Sequence, residues 1–247
     1  MDPLTIAAAS GLQSRMDSLE LLANNLANAE TSGYKSDREF YGLYASPEAS
    51  SPFGPEFLST LPVIEKQWTD FSQGTFQTTG GPLDVALAGR GFLAVNGPNG
   101  VLYTRSGSLR IGASSQLVTS DGYPVLGING KPIQAVTQKP IQISPDGTVR
   151  QDAQVLGQMQ IVDFKSLDPL KKVKGANFQN TDPNNKPIPA KDVNVQQGKL
   201  ETSNVVVPEA AMRLVGVMRQ FEMLQKAVTL NAQISRQAIQ QVASVGS

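Results

Sequence analysis

Residues 205–247, VVVPEAAMRLVGVMRQFEMLQKAVTLNAQISRQAIQQVASVGS, constrain the fold more than any other stretch of the chain. Pro208 and Glu209 follow a run of valines and are typical of a helix start. Proline lacks the N–H that the first turn leaves unpaired, and the acid faces the positive end of the helix dipole. No proline or turn cluster follows before Gly246. The sequence therefore predicts a C-terminal helix roughly 55 Å long at about 1.5 Å per residue.

Apolar residues recur along this predicted helix in heptad register and form a seam. The seam residues are Leu214, Val217, Phe221, Leu224, Val228, Ala238 and Val242. Such a seam is either the core side of a bundle within one chain or a contact with another chain. The predicted helix is longer than a compact domain of this size needs. This length favours a contact with another chain along part of the seam.

The N-terminal segment predicts a second helix. Asp2 is a suitable cap and Pro3 fits the first helical position, so the helix is expected to begin at about residue 3. Three- and four-residue spacing places Leu12, Met16, Leu19, Leu22, Ala23 and Leu26 on one apolar stripe, until Thr31-Ser32-Gly33 ends the pattern. We expect the two terminal helices to pair as an α-helical coiled-coil domain.

Three asparagines lie near the end of the first predicted helix, where each is a weak helix former. They are Asn24, Asn25 and Asn28. If buried in an assembly, their amides would fix the register of the helices, as a single buried asparagine does in coiled coils. If they face water, they begin to unwind the helix before Gly33. The sequence leaves both interpretations open.

The middle of the chain carries an all-β pattern, in which short apolar runs alternate with turn dipeptides. Asp121-Gly122, Asn129-Gly130 and Pro145-Asp146-Gly147 predict tight turns with positive φ at glycine. Prolines and serines in residues 44–61 predict a linker. The predicted fold is mixed α and β, with an all-β domain inserted between the paired helices. Its segments are an N-terminal helix in residues 1–36, a linker or extended segment in 37–72, a β-rich domain in 73–204 and a C-terminal helix in 205–247.

The composition narrows the range of functions. The chain has 21 Lys plus Arg against 21 Asp plus Glu, and it contains no His and no Cys. The balanced charge and the lack of a basic tract argue against a nucleic-acid partner. The missing imidazole and thiolate remove the usual metal ligands and the commonest general base at neutral pH. We therefore expect no catalytic residue, no cofactor and no metal, with a hydrolase that uses carboxylates as an alternative.

The sequence also bears on membranes and export. No apolar run approaches the roughly 18 to 20 residues that a membrane-spanning helix needs, so no membrane insertion is expected. The first residues, MDPL, lack the positive start and compact apolar run of a secretory signal peptide. We therefore expect no cleaved signal peptide.

Three stretches, in order along the chain, resemble flagellar basal-body rod and hook proteins. Residues 23–35, ANNLANAETSGYK, resemble the N-terminal signature of that family. Residues 69–93, TDFSQGTFQTTGGPLDVALAGRGFL, resemble the start of its β domain. Residues 197–228, QGKLETSNVVVPEAAMRLVGVMRQFEMLQKAV, resemble its C-terminal helix motif. The TDF and VDF segments at residues 69–71 and 162–164 look more like the proximal-rod type than the distal-rod or hook types.

The resemblance implies a structural subunit of the flagellar rod, exported by the flagellar type III apparatus and assembled in the periplasm. Its implied partners are copies of itself and other proximal- and distal-rod proteins, in an axial tube that transmits torque. The expected assembly interface consists of Leu12, Leu19, Leu22, Asn24, Asn25, Leu26, Asn28, Leu214, Val217, Phe221, Leu224 and Val228. The alternatives are a distal-rod or hook-type axial protein, and a secreted module whose β domain binds a ligand.

Overall fold

A computed structural model describes residues 3–45, 60–135, 139–152 and 154–245. The helices are α1 (Pro3–Ala27) and α2 (Val207–Val245). The strands are β1 (Asp37–Ala45), β2 (Thr60–Thr69), β3 (Phe76–Thr78), β4 (Val85–Ala88), β5 (Phe92–Gly97), β6 (Gly100–Thr104), β7 (Leu109–Ile111), β8 (Leu117–Thr119), β9 (Ile141–Ile143), β10 (Thr148–Gln151), β11 (Gln154–Gln158), β12 (Ile161–Asp163), β13 (Leu170–Lys174), β14 (Asn177–Asn180), β15 (Ile188–Pro189), β16 (Asn194–Gln197) and β17 (Lys199–Glu201).

The chain forms two compact units. Unit 1 consists of Met1–Ala27, Asp37–Trp68 and Val206–Ser247, and unit 2 consists of Asn28–Ser36 and Thr69–Val205. Unit 1 therefore holds both helices together with the two-stranded β1–β2 sheet. The predicted helix starts are confirmed, because α1 begins at Pro3 and α2 begins at Val207 with Glu209 in its first turn.

The predicted fold class is wrong in two respects. The helices do not form a coiled-coil domain, because unit 1 also includes the two-stranded β1–β2 sheet and the buried positions of α1 include the polar residues Ser14, Ser18 and Asn25. Unit 2 is not an inserted all-β domain, because it includes Asn28–Ser36, which forms turns and no strand. Periodicity reports an apolar stripe but does not identify the element that covers it. The predicted linker at residues 44–61 falls mostly on residues outside the described ranges.

A six-stranded sheet organises unit 2, in the order β13-β14-β6-β5-β12-β15. Its central strand β5 alternates between two hydrophobic clusters, as the two-residue period of a strand requires. Leu93 and Val95 join the larger cluster, whereas Phe92 and Ala94 join an aromatic cluster with Phe164 and Phe178. Smaller ladders pair β10 with both β9 and β11, β4 with β16, β3 with β17 and β7 with β8.

The predicted turns are confirmed. Gly122, Gly130 and Gly147 have φ values of 89°, 72° and 83°, in the region that glycine enters without steric cost. A turn hydrogen bond closes each of them, from Gly122 N–H to the Thr119 carbonyl, from Gly130 N–H to the Gly127 carbonyl and from Gly147 N–H to the Ser144 carbonyl. The turn dipeptides therefore predict the chain reversals of unit 2 correctly.

Candidate functional site

Unit 2 encloses three charged side chains that come from distant parts of the sequence. This junction cluster consists of Lys35, Arg105 and Glu201, whose exposed fractions are 0%, 5% and 0%. Lys35 Nζ lies 2.5 Å from Glu201 Oε1, and Arg105 Nη1 lies 3.3 Å from Glu201 Oε2. One carboxylate thus pairs with two cations, so these three side chains together keep an excess of one positive charge.

Backbone groups make further hydrogen bonds to the three side chains of the junction cluster. Lys35 Nζ donates to the Ser72 carbonyl at 2.7 Å. Arg105 donates from Nη1 to the Leu87 carbonyl at 2.9 Å and from Nη2 to the Gly89 carbonyl at 2.6 Å. Glu201 Oε1 also accepts from the Gly74 N–H at 3.0 Å. Buried charges are tolerated when they are paired and hydrogen-bonded in this way, and the carbonyl dipoles offset the excess positive charge.

Burial and the ion pairs act on the two cations in opposite directions. Burial lowers the pKa of Lys35, while the contact with Glu201 opposes that shift. The pKa of Arg105 is likewise lowered by burial and held up by Glu201. The single carboxylate therefore stabilises the charged form of both neighbours, and removing it would leave two cations without their counter-charge.

The segment Asn28–Ser36, which follows α1 in the chain, packs closely against the rest of unit 2. Gly33 has φ +69°, and its N–H donates to the Glu201 carbonyl at 2.8 Å. Tyr34 is fully buried, with Lys172 Nζ 4.0 Å from its ring centroid. Ser32 Oγ lies 2.9 Å from Ser106 Oγ. These contacts fix the backbone that carries Lys35.

Asn204, just before α2 in the chain, bonds to the segment that follows α1. Its Oδ1 accepts from Ser36 N–H at 2.7 Å, and its Nδ2 donates to the Asp70 carbonyl at 2.7 Å. The Asn204 N–H also donates to the Tyr34 carbonyl at 3.4 Å. Unit 2 thus holds together the two segments that connect to the helices along the chain.

Glycine is required at position 33 for two reasons, its left-handed backbone and its closeness to another segment. A Cβ there would overlap the backbone of Arg105 and Ser106, whereas a Cβ at Gly130, with φ +72°, would meet nothing within 4 Å. Gly130→Ala should cost roughly 1–2 kcal/mol from the backbone conformation alone. Gly33→Ala should cost about twice as much or more, because the clash is added. Chemical denaturation measures the free energy of unfolding of both variants. Equal losses would contradict the close packing of position 33 against the backbone of Arg105 and Ser106.

Lys35 is expected to leave a signature in the pH dependence of stability. Because burial lowers its pKa below the ordinary 10.5, the unfolded chain binds more protons at this group than the folded chain just below pH 10.5. Its contribution to the free energy of unfolding should therefore rise with pH there, by at most about 1.4 kcal/mol per pH unit. Unfolding curves of the wild type and Lys35→Met between about pH 8 and 10 test this. A constant difference between the two proteins would contradict it.

The predicted interface residues of α1 fall in three environments. Leu22 and Asn25 are buried, Asn24 is exposed, and the others are half-buried: Leu12, Leu19, Leu26 and Asn28. Asn25 Nδ2 donates to the Asp37 carbonyl at 2.7 Å, and Asp37 N–H donates back to Asn25 Oδ1 at 2.9 Å. Asn25 therefore fixes the start of β1 within its own chain, a role that neither sequence interpretation included.

The predicted interface residues of α2 share one face of that helix. Leu214, Val217, Phe221, Leu224 and Val228 are all half-buried, and Ala210 at the same spacing is buried. Leu224 Cδ1 would lie 3.8 Å from a Cβ at Gly11, so the small residues of α1 allow the two helices to approach closely. Ala211 is also half-buried. Every other residue of α2 for which exposure is described is exposed.

Sequence reasoning assigned no role to Lys35, Arg105 or Glu201. A single charged residue carries no periodic signal of burial, and such residues are usually on the surface. The only pointer was that all three lie within stretches that carry the family resemblance, which for Arg105 is YTRSG at residues 103–107. Their mutual contact, across 166 positions of sequence, is visible only in the fold.

No group of three or more His, Cys, Asp or Glu in those ranges is placed to hold a metal ion. No helix in the described part of the chain is long and apolar enough to cross a membrane. A groove lined by Ile128, Pro187 and Pro189, among others, has Asp146 as the one carboxylate in its described lining. Its Oδ2 accepts from Thr148 Oγ1 at 2.7 Å, and this bond lowers the pKa of Asp146.

Three family models match successive parts of the chain. The model described as "Flagella basal body rod protein" matches residues 7–35. The one described as "Flagellar hook protein FlgE/F/G D1 domain" matches residues 86–151, and "Flagellar basal body rod FlgEFG protein C-terminal" matches residues 196–241. Each matched part supplies one member of the junction cluster: Lys35, Arg105 and Glu201 lie in the first, second and third matched range.

Whole-length relatives agree with these matches. The flagellar basal-body rod protein FlgF of Caulobacter vibrioides (strain ATCC 19089 / CIP 103742 / CB 15) is 32% identical over 233 residues, which cover 92% of each chain. FlgF of Mesorhizobium japonicum is 28% identical and covers 98% of this chain and 97% of its own. FlgG of Buchnera aphidicola subsp. Acyrthosiphon pisum is 27% identical and covers 95% and 97%. The resemblance seen in the sequence is confirmed: the chain belongs to the family of flagellar basal-body rod proteins.

Proposed function

We propose that this chain is a structural subunit of the flagellar rod that polymerises through α1 and α2. The observation that carries the proposal is the surface of α2, a 39-residue helix whose described residues are mostly exposed and include seven large apolar side chains. These side chains are Val207, Met212, Val215, Met218, Met223, Leu230 and Ile234. An apolar surface of this extent marks an interaction site rather than a solvated helix.

The proposed interface residues are Leu12, Leu19, Leu22, Asn24, Asn25, Leu26 and Asn28 on α1, with Leu214, Val217, Phe221, Leu224 and Val228 on α2. Burying a leucine or phenylalanine contributes roughly 1.5 to 3 kcal/mol. The half-buried side chains retain surface that a neighbour would cover, and a handful of such contacts offsets the entropy of ordering the helices. Contacts between unlike surfaces of successive copies generate a helical tube.

The proposed partners are copies of this chain and other proximal- and distal-rod proteins. The names of the FlgF relatives and the TDF and VDF segments support the proximal-rod type, while the FlgG relatives keep the distal-rod type as the alternative. We further propose export through the flagellar type III apparatus and a periplasmic place in the rod. The proposed role is mechanical, the transmission of torque, and it involves no catalysis.

Removal of most of α1 tests the proposal. Deleting residues 4–20 spares Asn25 and also Asn28–Ser36, which belongs to unit 2. The truncated protein should fail to enter rods and should not restore swimming to a strain that lacks the gene, because the seam of α2 loses its cover. Near-UV circular dichroism of Tyr34 and Tyr103 should remain, since both side chains are buried in unit 2. Normal rods containing the truncated chain would contradict the proposal.

A secreted binding module is the second candidate, because the groove near Ile128 and Pro189 is a concave surface of unit 2 with both polar and apolar lining. The same deletion separates the two readings. Under the rod proposal it abolishes assembly. Under the binding-module reading it leaves ligand binding by unit 2 unchanged.

A further inference from the structure

Two backbone segments, one after α1 and one before α2 in the chain, lie side by side in unit 2. Gly33 N–H donates to the Glu201 carbonyl at 2.8 Å, and Asn204 N–H donates to the Tyr34 carbonyl at 3.4 Å. Residue numbers rise in the same direction along both partners of these bonds, so the two segments run parallel to each other. We call these segments, residues 33–36 and 201–204, the clasp.

Side chains add further bonds between the two segments of the clasp. Asn204 Oδ1 accepts from Ser36 N–H at 2.7 Å. Lys35 Nζ donates to Glu201 Oε1 at 2.5 Å, and both of these residues are fully buried. Charge-assisted hydrogen bonds are roughly twice as strong as neutral ones, and water does not reach this one to replace it. The clasp therefore combines backbone bonds with a buried ion pair.

The clasp is also anchored to a third stretch of backbone in unit 2. Asp70 N–H donates to the Ser36 carbonyl at 2.8 Å, and Thr202 N–H donates to the Thr75 carbonyl at 2.8 Å. Asn204 Nδ2 donates to the Asp70 carbonyl at 2.7 Å. A pull on either segment of the clasp therefore strains its bonds to the other segment and to this third stretch.

The connections of the clasp decide how it carries force. Helix α1 precedes residues 33–36 in the chain, and α2 follows residues 201–204. Tension between the end of α1 and the start of α2 pulls the first segment from its N-terminal end and the second from its C-terminal end. In a parallel pair these two ends lie at opposite ends of the pair, so the segments are drawn past each other and their bonds are loaded together. A pair that is pulled from one end opens one bond at a time.

We propose that the clasp is a load-bearing element, which keeps unit 2 folded when tension acts between the end of α1 and the start of α2. The inference rests on the proposed function for its use in the cell, because that function exposes the subunit to torque. The parallel direction, the buried ion pair and the anchoring bonds support this role. Forced unfolding is governed by the unfolding rate, so the clasp is expected to set the lifetime of unit 2 under force.

Stretching the purified full-length protein at constant force tests the clasp. The chain has no cysteine, so Glu30→Cys with Val206→Cys provides two attachment points, both at exposed positions on either side of the clasp. A second attachment pair, Val155→Cys with Val173→Cys, lies on the edge strands β11 and β13, whose bonds open in sequence. At equal force, the folded lifetime should be at least about tenfold longer with the first pair, because several bonds must break together.

Asn204→Ala tests the contribution of a single clasp residue and has a matched control. With the first attachment pair, this variant should shorten the lifetime under force about tenfold, because it removes the acceptor of Ser36 N–H and the donor to the Asp70 carbonyl. Asn180 is also half-buried, and its Nδ2 donates to two backbone carbonyls at 3.0 and 2.8 Å, but it lies outside the clasp. Asn180→Ala should leave the lifetime unchanged. Near-UV circular dichroism shows whether each variant is folded.

Two results would overturn the inference: a wild-type lifetime that is no longer with the first attachment pair than with the second, or equal lifetimes for Asn204→Ala and Asn180→Ala. The first comparison uses an unaltered clasp, so it decides the question even where Asn204→Ala does not fold. The proposed function has a separate readout, the presence of the wild-type chain in isolated basal bodies. A short lifetime in a chain that is present there would leave the rod assignment standing. Absence of the chain from basal bodies would instead remove the proposed function and leave the clasp as a property of the isolated protein.

Discussion

Replacing Glu201 with leucine is expected to destabilise unit 2 by roughly 3–5 kcal/mol, the usual cost of removing one partner from a buried ion pair. The substitution leaves Lys35 and Arg105 buried without their counter-charge and removes the acceptor of the Gly74 N–H. Urea unfolding followed by near-UV circular dichroism of the buried tyrosines measures the loss. A loss below about 1 kcal/mol would show that the junction cluster does not hold unit 2 together.

Two controls make this result specific. Lys139→Met breaks the 2.8 Å ion pair with Asp152, in which both side chains are more than half exposed, and it should leave the unfolding midpoint unchanged. Lys35→Met combined with Glu201→Leu should be less destabilising than the sum of the two single changes, because the apolar pair removes two buried charges together. Simple additivity would mean that the two side chains act independently.

Phe221→Asp is expected to abolish incorporation of the chain into rods. The change removes roughly 1.5 to 3 kcal/mol of apolar burial and places a carboxylate in the middle of the α2 seam, where it has no counter-charge along the seam. The same defect recurs at every copy in a polymer. Swimming and the amount of this chain in purified basal bodies report the effect, while the fold of unit 2 should persist.

Gln225→Asp is the matched control for Phe221→Asp. It adds the same charge to the same helix, one turn further on, at a position that is exposed. We expect normal swimming with this variant. Normal amounts of the Phe221→Asp protein in basal bodies would remove the α2 seam from the assembly interface.

Local signals in the sequence predicted the elements of this chain well. Pro3, and Pro208 with Glu209, marked helix starts because their effects act within one turn of backbone. The glycines after Asp121, Asn129 and Asp146 marked turns because positive φ is a property of a single residue. Such features need no knowledge of what lies across the fold.

Packing between distant segments was harder to predict. The periodicity of α1 singled out Leu12, Met16 and Leu19, yet its most buried positions include Ser14 and Ser18. Small side chains let another element approach closely, and hydrophobicity does not record this. The predicted coiled coil was wrong because periodicity does not show which other elements pack with a helix. The two-stranded β1–β2 sheet shares unit 1 with the helices.

The junction cluster shows the other limit. Lys35, Arg105 and Glu201 are charged residues with no periodic relation to one another, and each alone is consistent with a solvated surface. Glu201 and Lys35 come close to Arg105 only in the fold, where β17 pairs with β3 and Asn28–Ser36 packs within unit 2. A buried charge cluster of this kind depends on tertiary structure, and sequence spacing carries no trace of it.

Thiol labelling of α2 tests the central claim most directly, because the chain has no cysteine of its own. Val217→Cys places a thiol on the α2 seam, and Val155→Cys places one on an exposed strand of unit 2. If α2 packs against neighbouring subunits, the thiol at position 217 should react in the soluble protein and become protected at least about tenfold in isolated basal bodies, while the thiol at position 155 serves as the reference. Equal reactivity of the thiol at position 217 in the soluble protein and in basal bodies would contradict assembly through the terminal helices.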